Sequence, residues 1–284
     1  MRRNGIGVLD GKAVIVTGAG QGLGRAFAIG AAAEGAAVVV NDIDAEAAKK
    51  VVAEITGRGS RAIPSVGSVA DWDAAADLVA TCRKEYGAVD GLVNNAGVLR
   101  LTPAWDETEG SIRRVVEVNL LGALFVGTHA VRAMLDQGRG SIVNITSSAQ
   151  LGLPAMGTYG ATKGALASLT YGWSVDLGGH FVRVNAYAPV ARTAMAELSP
   201  VLPPDIPAPA DNTAVVTYLL SDLSDGITGQ VIQRRGNRLI VLAHPRLTEH
   251  GADADDWTID HVVDRFDPVL REHQEPVGYA IRGS

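Results

Sequence analysis

Tyr159 and Lys163 stand four residues apart in Tyr159-Gly160-Ala161-Thr162-Lys163, a stretch whose neighbours predict a helix, so both side chains fall on one face. A tyrosine hydroxyl titrates near pH ~10 and is a poor base at neutrality. An ammonium beside it stabilises the phenolate, lowers that pKa, and lets the ring take a proton from an alcohol or return one to a carbonyl oxygen. The spacing alone also fits an ordinary surface pair, so the neighbours decide. Ser147, with Ser148 beside it, follows the apolar run Ser141 to Thr146. A hydroxyl at the end of a parallel strand can hydrogen-bond a substrate oxygen and polarise it. Asn119 interrupts an otherwise apolar helical stretch, and an amide there needs a partner. Asn94-Asn95-Ala96-Gly97 closes another β-rich run as a turn.

A second constellation lies near the N-terminus, in Thr17-Gly18-Ala19-Gly20-Gln21-Gly22-Leu23-Gly24. Glycines there permit backbone angles and close approaches that a Cβ blocks. The predicted helix behind them offers free N–H groups and a positive dipole end to a pyrophosphate. The context strengthens the reading: a strand before, a helix after, a second strand, then Asp42, roughly the ~20 residues on that a dinucleotide site expects. A carboxylate there accepts hydrogen bonds from the adenosine ribose and repels a 2′-phosphate. No Arg or Lys precedes Gly22 in the loop or directly follows Asp42. The cofactor expected is therefore NAD, with an NADP-dependent ketoreductase as the rival.

These residues need elements to hold them. Short β-rich runs alternate with longer Ala-rich helical stretches: strands at Ala13–Thr17, Ala37–Asn41, Arg61–Ser65, Leu92–Asn94, Ser141–Thr146 and Val182–Tyr187, and a last, less regular one over Val231–Val241. The runs are nearly continuous in apolar residues, as parallel strands covered on both faces require. Strands alternating with helices predict an α/β fold, a single Rossmann-type doubly wound parallel sheet flanked by helices. The catalytic domain is expected over residues 1–242. A C-terminal extension over 243–284, carrying Trp257 and Phe266, packs either on the body or on a partner subunit. Ser199 to Pro209, with five prolines, reads as a stiff surface loop.

Together these motifs resemble the short-chain dehydrogenase/reductase family over Gly11 to about Val241. The resemblance implies that Asn119 holds a water relay, Ser147 orients the carbonyl, Tyr159 is the acid/base, and Lys163 binds the nicotinamide ribose while tuning Tyr159. It implies cofactor contacts from Gly18, Gln21, Gly22, Leu23, Gly24, Asp42, Ser68, Val69, Asn95, Ala96 and Gly97. It also places Pro189, the Val190 backbone and Thr193 at the nicotinamide carboxamide. Several positions depart from the family pattern. Ser147 is one residue closer to Tyr159 than is commonest, which leaves Ser148 in competition. Val190 stands for a glycine, Ser68-Val69 for an adenine-reading Asp, and Arg234-Arg235-Gly236-Asn237 for an Asp-Gly-Gly sequence. Val38–Asp42, Pro189–Thr193 and the region from Leu219 onward are similar to the dehydrogenase domain of peroxisomal multifunctional enzymes, which implies a 3-hydroxyacyl-CoA or a steroid-like hydrophobic alcohol as substrate. Arg100, Arg192 and Arg246 are the candidates for an acyl-CoA contact.

Composition trims the rivals. A net charge of −6 and a pI near 5.5 give no support for nucleic-acid binding. One cysteine, Cys82, excludes an intrachain disulfide and suits a reducing, cytoplasmic setting, with Cys82 read as a buried thiol. The six histidines show no metal-ligand spacing, so no metal is expected. No Gly-x-Ser-x-Gly elbow surrounds Ser147, which removes a serine hydrolase. The apolar stretches look too interrupted to span a bilayer. The partners expected are a small alcohol or carbonyl substrate and further copies of the chain, as a dimer or tetramer. A dinucleotide-binding scaffold without turnover is the rival of another class, and the intact Asn119, Ser147, Tyr159, Lys163 set argues against it.

Overall fold

The computed structural model describes residues 7–198 and 206–273. The chain forms two units, Met1–Leu242 and Ala243–Ser284.

The first unit alternates strands and helices: β1 (Ala13–Val16), α1 (Gly22–Ala33), β2 (Ala37–Asp42), α2 (Ala45–Gly57), β3 (Arg61–Val66), α3 (Trp72–Tyr86), β4 (Gly91–Asn94), α4 (Glu109–Val116), α5 (Gly122–Gln137), β5 (Gly140–Ile145), α6 (Gly157–Asp176), β6 (Val182–Ala188), α7 (Thr213–Leu220), β7 (Val231–Arg235) and β8 (Arg238–Val241). One eight-stranded sheet runs in the order β3-β2-β1-β4-β5-β6-β7-β8. All neighbours are parallel except the last pair. The strand order reverses between β1 and β4, which opens a crevice at the carboxyl ends of these strands.

Period-two alternation assigns the strand side chains to two cores. Val14, Val16, Val38 and Val40 face one side and pack with Phe27, Ala31, Ile55 and Leu219. Ala13, Ile15, Val39 and Leu92 face the other and pack with Leu78, Val126, Met134 and Val184. Three helix starts have a local side-chain cause. Asp44 caps α2 by accepting from Glu46 N and Ala47 N, both at 3.0 Å. Asp71 caps α3 through Ala74 N at 2.8 Å, and Thr108 caps α4 through Ser111 N at 3.2 Å. The aromatic end of Trp173 in α6 packs on Gly127 of α5, as the sequence position suggests.

Two expectations change. The stretch Val231–Val241 is not one strand but a hairpin, because Gly236 adopts φ 58° and reverses the chain so that Arg235 pairs with Arg238. The helical run Glu109–Gln137 is 29 residues and, by length and composition alone, apolar enough to cross a membrane. Half of its most apolar window is buried, and Val118, Val126, Ala130 and Met134 sit in the second core, which is the burial of an interior helix.

The second unit holds a helical stretch over Ile259–His261, Val262–Phe266 and Asp267–Glu272. Trp257 meets Phe266 edge-on at 6.4 Å, and Arg265 donates to the Asp253 carbonyl at 3.0 Å.

Candidate active site

The carboxyl ends of β1, β2, β4, β5 and β6 bring most of the expected residues to the crevice. After β1 the chain turns through Gly18 at φ 60° and Gly22 at φ 56° before entering α1. Asn95, at the end of β4, donates its amide to the Thr17 carbonyl at 2.9 Å and the Gly18 carbonyl at 3.1 Å. Thr17 replies with its hydroxyl oxygen, which accepts from Asn95 N at 3.0 Å and Ala96 N at 3.1 Å. Asn95 thus holds the glycine loop in shape. Gly24 is forced by close approach: a Cβ there would lie 2.1 Å from the Gly18 carbonyl oxygen and 2.4 Å from the Asn95 amide nitrogen. Gln21 takes the cap position of α1 without a side-chain cap bond, and α1 has no acidic residue in its first turn. Its first N–H groups are therefore left for a ligand, in contrast to the capped α2, α3 and α4.

Asp42 faces this loop. One carboxylate oxygen accepts from Gly20 N at 2.8 Å and the other from Asp44 N at 3.0 Å. Arg25, the first cation after the loop, is paired with Glu54. Leu23 packs against the first core. A glycine loop shaped by Asn95, an uncapped helix start and a carboxylate at the second strand fit the pyrophosphate and adenosine ribose of a dinucleotide.

Ser68 and Val69 are not drawn in by their side chains. The Ser68 hydroxyl turns back to accept from Ala70 N at 3.2 Å, and Val69 is buried against Gly122 in the second core. An apolar side chain at this position is taken by the core, whereas an Asp would be pushed out to the solvent side. The segment stays joined to Asp42 through Gly67 N, which donates to the Asp42 carbonyl at 3.1 Å.

The reacting end gathers at β5 and α6. Tyr159 is half-buried, and the side chain whose hydrogen bond acts on its hydroxyl is Ser147. A turn over Ser148–Leu151 follows Ser147 and lies tightly on α6, where a Cβ on Gly160 would come within 2.5 Å of the Ala149 carbonyl oxygen. This contact fixes Ser147 relative to its helix neighbour Tyr159. Lys163 is only 3% exposed. Its Nζ donates to the Ile145 carbonyl at 2.7 Å and lies 5.7 Å from the centre of the Tyr159 ring. Burial pulls the Lys163 ammonium down to about 8. Burial also pushes the Tyr159 hydroxyl above its ordinary range, opposed by the Ser147 hydrogen bond. Burial and the Ser147 hydrogen bond thus act on the Tyr159 hydroxyl in opposite senses, with burial the larger.

Asn119 is fully buried on a π-helical turn, Glu117–Leu121, between α4 and α5. Its Oδ1 accepts from Val98 N at 2.7 Å, and its Nδ2 donates to the Val98 carbonyl at 2.9 Å and to Thr162 Oγ1 at 3.3 Å. Thr162 in turn donates to the Tyr159 carbonyl at 2.8 Å. Asn119 therefore ties the segment after β4, next to Gly97, to the helix that carries Tyr159 and Lys163. After β6, Val190 offers its carbonyl to Asn212 Nδ2 at 3.0 Å, and Thr193 Oγ1 accepts from Ala196 N at 3.1 Å. The Thr193 methyl lies toward the glycine loop, 3.6 Å from where a Cβ of Gly22 would stand. Pro189 begins this segment.

Three residues escape the motif reading. Thr17 and Thr162 look like ordinary strand and helix residues, and their signal is only a polar type at a position periodicity assigns to the interior. Asn212, also fully buried, follows a proline-rich run that reads as a loop. Cys82 lies buried in α3, its thiol pushed up to about 12 by burial and then by Asp90. No three His, Cys, Asp or Glu side chains converge as metal ligands among the described residues.

Comparison with known proteins agrees with this geometry. A family model described as short chain dehydrogenase matches residues 12–199. The 3-oxoacyl-[acyl-carrier-protein] reductase FabG of Thermotoga maritima is 35% identical over 82% of this chain and 99% of its own. The L-rhamnose 1-dehydrogenase (NAD(P)(+)) of a Sphingomonas species is 36% identical over 83% of this chain and 99% of its own. A short chain dehydrogenase from Mycobacterium avium superposes with a TM-score of 0.83 at 36% identity, over 97% of this chain and 98% of that one. A gluconate 5-dehydrogenase from Burkholderia cenocepacia, solved in complex with NADP and tartrate, gives 0.75 at 30% identity, over 80% and 95%. With a nucleotide-binding Rossmann sheet, an open glycine loop and a Tyr159–Ser147 pair over Lys163, the chain belongs to the short-chain dehydrogenase/reductase family of oxidoreductases.

Proposed function

We propose that this chain is an NAD(H)-dependent oxidoreductase that interconverts a secondary alcohol and a ketone, with Tyr159 as acid and base. The observation that carries the reading is the buried Lys163 ammonium, held by the Ile145 carbonyl at the end of β5 and 5.7 Å from the centre of the Tyr159 ring. Bound NAD(H) supplies the hydride acceptor for oxidation and the hydride donor for reduction. Ser147 hydrogen-bonds the substrate oxygen and orients it. In reduction the Tyr159 phenol gives its proton to the carbonyl oxygen and becomes the phenolate; in oxidation the phenolate takes the hydroxyl proton and becomes the phenol. Lys163 places a positive charge near the ring as the phenolate forms. Asn119 holds Val98 and, through Thr162, the Tyr159 turn of α6, so the acid and the oxygen it serves stay in register.

Asp42 favours NAD over NADP, because its carboxylate already faces Gly20 N and its charge repels a 2′-phosphate. The NADP complex of the Burkholderia gluconate 5-dehydrogenase is the observation that favours the rival, an NADP-dependent ketoreductase. A hydrophobic alcohol, such as a 3-hydroxyacyl thioester or a steroid-like alcohol, suits Leu151, 40% exposed on the turn after Ser147. The chain works as a homo-oligomer, a dimer or tetramer, in the cytoplasm.

The test is binding of NAD+, NADH, NADP+ and NADPH to wild type and Asp42→Ala, followed by an alcohol and ketone screen with Tyr159→Phe as control. NAD(H) preference, relaxed by Asp42→Ala, and turnover that Tyr159→Phe lowers by ~10²–10⁴-fold without loss of binding are expected. Preference for NADP(H) makes the chain a ketoreductase. Binding without turnover in any substrate class makes it a scaffold.

A further inference from the structure

Asn212 is a polar side chain with no exposure, and all of its bonding capacity is aimed at one place. Its Nδ2 donates to two carbonyls, Val190 at 3.0 Å and Ala208 at 3.3 Å. Only the amide nitrogen satisfies two acceptors, so its orientation is set, and Oδ1 is left to accept from the Tyr187 hydroxyl at 2.8 Å. Burial pushes the Tyr187 hydroxyl up to about 12, so it stays a donor. Tyr187 is itself hydrogen-bonded by Arg234, which reaches across from β7 and also bonds the carbonyls of Asp211 and Gly236. A chain of hydrogen bonds therefore runs from the sheet, through Tyr187 and Asn212, to the backbone of Val190.

That end point matters because of what surrounds it. Val190 begins the segment whose Thr193 methyl lies against Gly22 of the phosphate loop. The same segment is pinned two residues on, where Arg192 N donates to the Pro207 carbonyl at 2.8 Å. Asn212 precedes α7, and Thr213 beside it packs on Gly30 of α1, the helix that carries the phosphate loop at its start. The Asn212–Thr213 corner thus touches both α1, through Thr213 on Gly30, and the Val190 segment, through the Asn212 amide.

We propose that Asn212 is a positioning residue for the nicotinamide half of the cofactor: it sets the Val190 backbone, and with it Pro189–Thr193, at a fixed offset from the phosphate loop, with Tyr187 and Arg234 holding its amide in one orientation. The inference rests on the reading of this chain as a nicotinamide-dependent oxidoreductase. Asn212→Asp keeps the shape but sets a carboxylate against two carbonyl oxygens. Tyr187→Phe is the milder variant, since it leaves the amide in place and removes only its partner.

The experiment compares NADH with ADP-ribose, which carries the same adenosine and pyrophosphate but no nicotinamide, by titration calorimetry on the full chain. Circular dichroism and thermal melts are recorded for each variant. Wild type binds NADH more tightly than ADP-ribose. Asn212→Asp weakens NADH by at least ~10-fold and Tyr187→Phe by ~3–10-fold, the range expected for loss of a buried hydrogen bond. ADP-ribose affinity stays within twofold in both. A parallel loss of both ligands in the folded variants, or no loss of either, overturns the positioning role and leaves Asn212 as a packing residue. Equal wild-type affinity for NADH and ADP-ribose also overturns it. A wild type that binds ADP-ribose and NADH not at all removes the oxidoreductase reading, and the inference falls with it.

Discussion

Lys163 gives the sharpest test of the site's physics, because its charge is held against burial. Its ammonium is pulled from an ordinary value of 10.5 to about 8 by desolvation. One pKa unit corresponds to ~1.4 kcal/mol, so the charged side chain lowers the stability of the folded state by roughly 3 kcal/mol at pH 7. Replacing it by an apolar side chain of similar length, Lys163→Met, removes that penalty and keeps the stem packed. It also removes the charge-assisted hydrogen bond to the Ile145 carbonyl, worth ~1.5–3 kcal/mol. The variant is therefore expected to be at least as stable as wild type at pH 7, by ~0–1.5 kcal/mol, at ~2–4 °C per kcal/mol in the melting temperature, while turnover is lost. The pH dependence carries the diagnosis. The unfolded lysine keeps its proton to pH ~10.4, whereas the folded one releases it near 8. Between those values the unfolded state binds more protons, so wild-type stability rises with pH, and by pH 9.5 the penalty has shrunk to roughly 1 kcal/mol. Thermal melts of both proteins at fixed protein concentration, at pH 7 and 9.5, read this directly. The advantage of Lys163→Met should fall by ~2 kcal/mol over that interval. A variant less stable than wild type at pH 7, or a difference that ignores pH, would refute the argument that the charge is buried at a cost.

Two further outcomes follow from close contacts. Gly24→Ala drives a Cβ into the Gly18 carbonyl and the Asn95 amide, so the melting temperature should drop by several degrees and dinucleotide affinity by at least tenfold; calorimetry that finds wild-type binding would show that the loop shape is not required. Cys82 is buried with its thiol near 12, so iodoacetamide at pH 8 should leave the native chain unmodified for hours and label it once denaturant is added, as read by mass spectrometry.

Much of the frame is legible in the residue order. Apolar runs such as Val14–Val16 and Val38–Val40 announce buried parallel strands, because only a strand covered on both faces is apolar at consecutive positions. Gly18, Gly22, Gly24 and Asp42 sit at fixed distances along one strand–turn–helix–strand unit, and Tyr159 and Lys163 lie one helical turn apart. Such spacings are local, and local geometry follows from the chain itself. The hairpin at Gly236 was less visible, since a run of β-type residues does not say which glycine turns the chain and which stays extended.

The residue order encodes the list of groups, their local spacing and the family they signal. The tertiary structure decided how they meet. It laid the turn that follows Ser147 tightly on α6, and it sent the Val69 side chain into the core while Asp42 faces the loop. It made Asn119 a clamp on Val98 and drew Asn212 into one hydrogen-bonded chain with Tyr187 and Val190 of an earlier segment. It also buried Tyr159, which raises its pKa, where the helix spacing alone suggested a lowered one. Pairings between distant segments, and the desolvation that shifts a proton, depend on what surrounds a side chain in space, and no periodicity along the chain encodes that surrounding.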